Sequence, residues 1–237
     1  MTRAMLAAMM LAVAVPAQAQ VPDPDARRSL AGYFMMGGSL LDVDDLNGQL
    51  TARLYEPFSD RFFSLGGGLH LIVNQAIIAG ELHALLAEQG SVTNGTFTST
   101  LRGGYGSLGV GYLILDGGAL DLYPLLSAGW GGMGMELVER GAPTFGEVLD
   151  DPARGSRLTN HGPVVSFSLG GDYVFEAGRD AGKGFLIGIR AGYAYAPVEG
   201  DWRLGDVDIP AGPAMSVTGP FVRIMLGAGG RAPDPFR

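Results

Sequence analysis

Residues 164–175 read Val164-Val165-Ser166-Phe167-Ser168-Leu169-Gly170-Gly171-Asp172-Tyr173-Val174-Phe175, and the fold turns on how this stretch is read. Val165, Phe167, Leu169, Tyr173 and Phe175 share one parity, while Ser166, Ser168, Gly170 and Asp172 share the other. A period of two marks a β-strand with two unlike faces. Residues 185–195 repeat it, with Phe185, Ile187, Ile189, Ala191, Tyr193 and Tyr195 against Gly188, Arg190, Gly192 and Ala194; only Leu186 intrudes on the polar side. Near the C-terminus Val222, Ile224, Leu226 and Ala228 alternate with Arg223, Met225 and Gly227. Leu120, Leu122, Leu126 and Trp130 oppose Asp121, Tyr123, Ser127 and Gly129, and Ile78, Leu82 and Leu86 oppose Glu81 and His83. The apolar parity is too free of Lys and Glu to be a water-facing wall. A water-soluble barrel has the reverse dressing, an apolar lumen inside a charged exterior.

Working outward, eight such stretches span about 31–41, 62–73, 76–88, 100–115, 120–137, 162–175, 184–197 and 216–229. The parity is less regular in the first and fourth. In the fourth, Leu108, Val110, Tyr112 and Ile114 are in phase with Arg102, which calls for a bulge or a rim position there. Connections alternate long and short: Asn74-Gln75, Asp116-Gly117-Gly118-Ala119 and a Gly-rich turn at 176–183 are short, whereas loops around 42–61, 89–99, 138–161 and 198–215 are long. An up-and-down meander delivers its connections to the two ends in turn, and transmembrane barrels put the short ones on the periplasmic side. The expected fold is therefore all-β: a single eight-stranded antiparallel up-and-down transmembrane β-barrel over residues 31–229, with four long outer loops and short periplasmic turns.

Composition excludes several classes. The 237 residues include 39 glycines and no cysteine, so disulfides, thiolate metal sites and cysteine nucleophiles drop out. No apolar run reaches the roughly 20 residues of a spanning helix. A net charge of −8 argues against nucleic acid as a partner. At the N-terminus Arg3, the apolar run Ala4–Val15 and Ala17-Gln18-Ala19 have the layout of a secretory signal peptide over residues 1–20. Its removal leaves 15 basic and 24 acidic side chains, −9. Residues 21–30, with Pro22 and Pro24, read as an extended periplasmic linker, and 230–237 as a C-terminal tail.

On its architecture and its glycine-aromatic strands, Leu101-Arg102-Gly103-Gly104-Tyr105-Gly106 and Leu122-Tyr123-Pro124-Leu125-Leu126-Ser127-Ala128-Gly129, the chain resembles the small eight-stranded outer-membrane barrels, the class that includes outer-membrane protein A. The resemblance implies a monomer in the bacterial outer membrane, surrounded by outer-membrane lipid and lipopolysaccharide and inserted by the barrel-assembly machinery. Such barrels usually end the last strand on a C-terminal aromatic; here it ends Leu226-Gly227-Ala228-Gly229-Gly230, a departure from the usual insertion signal.

Inward parity collects a lumen charge cluster, Glu81, Asp121, Asp172, Arg190 and Arg223, with His70 and His83. An isolated charge there is costly, so carboxylates and guanidinia are expected to pair and fill the bore, which eight strands leave narrow. A two-residue turn at Asn74-Gln75 pairs 70 with 79, 68 with 81 and 66 with 83, which puts His70, Glu81 and His83 on one face. Trp130, Tyr173, Phe175, Phe185, Tyr193 and Tyr195 fall where interfacial aromatic girdles belong. No catalytic constellation, metal site or cofactor is expected: no HExxH-type spacing occurs, and the glycine runs Gly66-Gly67-Gly68 and Gly103-Gly104-Tyr105-Gly106 open no helix that could cradle a phosphate. Asp42-Val43-Asp44-Asp45-Leu46-Asn47-Gly48 echoes a calcium loop with its third ligand out of register; with Glu147, Asp150, Asp151, Asp206 and Asp208 it reads as a solvated acidic rim. Leu46, Leu50 and Leu54, at i, i+4 spacing, predict a short loop helix lying on that rim. The expected role is structural or surface-interacting, through an extracellular ligand met by the loops. A narrow porin-like channel, a barrel-embedded lipid-modifying enzyme and a soluble periplasmic ligand-binding barrel are the alternatives.

Overall fold

The computed structural model describes residues 28–116, 120–141, 144–150, 155–176, 183–197 and 202–231; the expected leader at 1–20, most of the linker and of the 176–183 turn, and the end of the C-terminal tail lie outside them. The elements in chain order are β1 (Arg28–Leu40), α1 (Asp44–Thr51), β2 (Arg61–Val73), β3 (Ala76–Thr93), β4 (Phe97–Tyr112), β5 (Leu115–Asp116), β6 (Leu120–Glu139), α2 (Phe145–Asp150), β7 (Gly155–Glu176), β8 (Lys183–Tyr195), β9 (Trp202–Leu204), β10 (Val207–Ile209) and β11 (Gly219–Arg231). Eight of these strands form a closed antiparallel ring, β1-β2-β3-β4-β6-β7-β8-β11, in which β11 returns to β1 through pairs such as Met35↔Met225. Closure gives every ladder edge a partner, the condition for a sheet in a medium without water. The short β5 and the β9–β10 hairpin hang on the ring at its two ends.

Inward and outward parities fall as the sequence predicts. Val165 to Phe175 on β7 covers about 25 Å along the barrel axis, at roughly 3.3 Å per residue and 40° of tilt, which is the height of an outer-membrane apolar band. Over that height Phe167, Leu169, Ile187, Ile189, Val222, Ile224 and Leu226 all stand on the outside, largely exposed. The first strand, irregular by sequence, follows suit: Ala31, Tyr33 and Met35 are buried, Leu30 and Phe34 exposed. Arg102 keeps its outward phase without a bulge in its own strand; the register irregularity lies across from it in β3, between Leu86 and Ser91, where Gly90 takes φ +68°.

Two expectations are corrected at the long-loop end. The segment 89–99 is not a loop but mostly strand: β3 and β4 run on above the belt and meet in a tight turn at 94–96, held by Asn94 Oδ1 accepting from the amides of Thr96 (3.0 Å) and Phe97 (2.7 Å). Polar residues such as Ser91, Thr93, Thr98 and Thr100 give no alternation to read, yet pairing continues, with Val92 and Ser99 buried on the inner face. The predicted loop helix also differs. α1 ends at Thr51, Leu54 lies beyond it with φ 65° on the surface, and Leu46 and Leu50 point into the mouth instead of lying on it. Asn47 clasps the returning chain, accepting from Phe58 N and donating to Phe58 O, both at 2.8 Å.

The interior is therefore layered, not polar throughout as the strand parity suggested. At the mouth a large apolar core gathers Leu46, Leu50 and Phe58 from the first loop, Phe62, Leu85, Leu101 and Met133 from the wall, and Trp202, Met215 and Val217 from the last loop. The last loop is pinned by Trp202 Nε1 donating to Pro213 O (2.8 Å) and Asn160 Nδ2 donating to Met215 O (2.7 Å). At the short-turn end two smaller apolar clusters pack inside the barrel, one around Ile72, Ile77, Leu113 and Leu125 and one around Tyr33, Met35, Leu186 and Met225. Leu186, the intruder by parity, is a member of the second. Between the mouth core and these clusters lies the polar waist.

Candidate functional site

All seven residues of the expected charge cluster are buried at the waist or just below it, Arg190 at 1% exposure and Arg223 at 2%. The register that brings them together is the predicted one, with Gly66↔His83, Gly68↔Glu81 and His70↔Ala79. Arg190 and Arg223 are direct cross-strand partners, two guanidinia side by side, and Asp121 and Asp172 are likewise partners. Like charges placed so repel unless each finds opposite charge and hydrogen bonds nearby.

Arg190 finds a carboxylate, while Arg223 and Asp172 are met by phenols, a serine hydroxyl and imidazoles. Arg190 pairs with Glu81 through Nη1 and Oε1, and its Nη2 donates to Tyr123 OH at 2.8 Å. Tyr123 OH in turn donates to Asp172 Oδ2 at 2.7 Å, and Tyr33 OH donates to Glu81 Oε1 at 3.0 Å. His70 Nδ1 lies 3.9 Å from Asp172 Oδ2. Arg223 donates from Nη2 to Tyr105 OH at 2.6 Å and from Nε to Ser64 Oγ at 3.2 Å. His83 Nε2 sits 3.1 Å from Glu81 Oε2 and 3.2 Å from Arg223 Nη1; bearing a proton it donates to Glu81, bare it accepts from Arg223, so one atom serves one partner at a time. Both guanidinia also lie over rings: Arg190 near Tyr33 and Tyr123 at 5.7 and 5.5 Å, Arg223 over Phe221 at 3.9 Å and near Tyr105 at 5.6 Å.

Sequence reasoning found the charges and missed most of what satisfies them. Tyr33 draws no reading from the sequence, and Tyr105 and Tyr123 enter it only as aromatics of glycine-rich strands, with no role beside the charges. Their signal lies in the pairing. Tyr33 stands across from Gly68 and Gly227, Tyr105 from Gly131, and Tyr123 from Gly170. A missing side chain on the neighbouring strand is what lets a ring lie flat along the inner wall.

The six girdle aromatics all face outward and are exposed. Tyr173 and Phe175 stack edge-on at 4.6 Å near the short-turn end, and Trp130, Tyr193 and Tyr195 ring the other end of the belt. Asp42–Gly48 is the lead-in and first turn of α1 rather than a cation loop, and no cluster of three or more His, Asp or Glu suited to a metal occurs among the described residues. At the mouth an open apolar cleft of about 510 Å³ lies between α1 and the last loop, lined by Leu46, Leu50, Tyr55, Leu158, Trp202 and Ile209, with Arg53 and Gln49 on its lip.

These features define a class: a closed eight-stranded antiparallel barrel with an apolar exterior belt and a buried charged waist. Among solved structures the chain is similar to Ail, the attachment invasion locus protein of Yersinia pestis (14% identity, TM-score 0.44, covering 87% of this chain and 99% of that one). The same protein in complex with the heparin analogue sucrose octasulfate gives 12% identity and a TM-score of 0.46 over the same shares. Neisserial surface protein A gives 11% and 0.38, covering 87% of this chain and 97% of that one. No family model matches the chain, and no curated protein sequence matches it. The architecture stated above rests on this chain's own strand pairings, not on these likenesses.

Proposed function

We propose that this protein is exported by the segment 1–20, spans the bacterial outer membrane as a barrel, and acts as a structural or surface-interacting protein through the elements above its outer girdle. The observation that carries this reading is the inside-out wall: an unbroken apolar belt about 25 Å tall, edged by aromatics, around a core that holds the charges. In water such a belt would be an aggregation surface far beyond the apolar patches soluble monomers expose. The short connections lie at the end where β1 begins and β11 finishes, consistent with insertion from the periplasm, and put α1, the β3–β4 hairpin, α2 and the β9–β10 hairpin outside.

The lumen is read as closed. A guanidinium held by a carboxylate, tyrosines and ring faces is not free to pass ions, and apolar packing lies on both sides of it. The open cleft between α1 and the last loop is the surface proposed to meet an extracellular ligand. Two measurements test this. The protein is expected to stay with membranes through salt and carbonate washes and to leave only with detergent; release by carbonate would favour the soluble ligand-binding barrel. Reconstituted in a planar bilayer it is expected to give no steady conductance, and a large sustained single-channel current would replace the closed lumen with a pore.

A further inference from the structure

One polar site faces outward, and the closed lumen and loop cleft do not use it. Arg102 on β4, Glu136 on β6 and Arg157 and His161 on β7 stand on the outer wall just above the girdle, with Thr100 and Thr159 between them. They line a groove of about 550 Å³ whose floor is open because Gly132 and Gly134, on the strand between, carry no side chains. The height follows from the register. Trp130 pairs with Gly106, and Arg102 lies four residues farther up β4, roughly 10 Å above the indole at 3.3 Å per residue and 40° of tilt. His161 lies between, its ring 6.3 Å from Trp130. Lipid headgroups begin at this level, where an aromatic girdle gives way to water.

Charge points the same way. The chain is acidic overall, yet two guanidinia and an imidazole face outward here against one carboxylate. Glu136 stands directly across from Arg157 in the register, but no ion pair within 4.0 Å ties it to either arginine among the described residues. Two guanidinium forks with no ion pair among the described residues, flanking a glycine floor, suit a phosphate monoester, which accepts bidentate hydrogen bonds. We propose that this groove holds the headgroup phosphate of a phosphorylated lipid of the outer leaflet, with Arg102 and Arg157 as its clamps, His161 and the threonine hydroxyls as further donors, and the acyl chains lying along the belt below.

This inference rests on the membrane reading above, and its test separates the two. The full-length barrel, folded in zwitterionic detergent, is titrated with a bis-phosphorylated lipid A, with the same lipid dephosphorylated, and with inorganic phosphate, and bound lipid is counted by native mass spectrometry. The phosphorylated lipid is expected to bind, with roughly tenfold loss on dephosphorylation and a similar loss in R102A/R157A, since each tenfold step corresponds to about 1.4 kcal/mol. The single variants R102A and R157A should fall between. Retention of the folded mobility in cold SDS shows that a variant which lost binding has kept its barrel. Equal binding by wild type and double variant, or indifference to the lipid's phosphates, would overturn the site. Competition by inorganic phosphate at millimolar concentration would make it a free-anion site and overturn the lipid assignment. A wild-type protein that never enters vesicles defeats the membrane reading and this one with it, whereas one that inserts and ignores the phosphates defeats this one alone.

Discussion

At the scale of single residues, the waist is decided by which tyrosine meets which glycine. A Cβ built on Gly170 would come within 2.5–2.9 Å of two ring carbons and the hydroxyl of Tyr123, and one on Gly68 within 3.0 Å of Tyr33 and Glu81. These glycines weaken the strand locally but make room for the phenols that satisfy the buried ions. Arg190 is the centre of that arrangement. Its removal leaves Glu81 buried without its cation, so Arg190→Ala is expected to cost about 3–5 kcal/mol in urea unfolding from lipid vesicles. Replacing both partners, Arg190→Met with Glu81→Leu, should cost much less, because the largest part of the single-variant loss is the stranded charge. Equal losses for the single and double variants would mean that the ion pair is not what holds the waist.

At the scale of elements, α1 and the last loop behave as part of the core rather than as decoration. Leu46 and Leu50 pack into the same cluster as Phe62, Leu101 and Trp202, and the Asn47–Phe58 clasp closes the loop behind them. An eight-residue helix is marginal by itself in water, so its stability comes from this packing. Leu46→Ala should remove about 2–5 kcal/mol of local stability, which the loop would feel before the ring does. The measurement is limited trypsin digestion of the folded protein in detergent: cleavage after Arg53 should accelerate markedly in the variant while the barrel fragment stays intact. Unchanged cleavage would show that the helix is not anchored by its leucines.

At the scale of the whole molecule, a closed ring carries its apolar side chains outward. Leu169 lies near mid-height of the belt, facing out. Leu169→Arg is therefore expected to lower folding stability in lipid vesicles by about 2–4 kcal/mol, the range for a cation at the midplane of a barrel's lipid face. Val207→Arg, on the exposed β9–β10 hairpin, should be nearly neutral. If both substitutions were equally harmless in lipid, the belt would not be the part that meets acyl chains.

The sequence by itself determined the ring. Strict alternation over Val165–Phe175 and Phe185–Tyr195, with short turns at every second connection, leaves little freedom once each strand must bury one face and expose the other. It also named the five charged side chains and two histidines that end up inside, because parity alone sorts them from the apolar side. Tertiary structure decided what parity cannot carry. The ends of the strands above the belt face water on the outside and folded-in loops on the inside, so Ser91–Thr100 shows no alternation although it is paired. The apolar mouth is assembled from Leu46, Phe58, Trp202 and Met215, which are distant in sequence and meet only once the loops fold inward. The same holds for the partners of the ions: Tyr33, Tyr105 and Tyr123 are legible as hydrogen-bond donors and acceptors only when the cross-strand register shows which glycine lies opposite each ring.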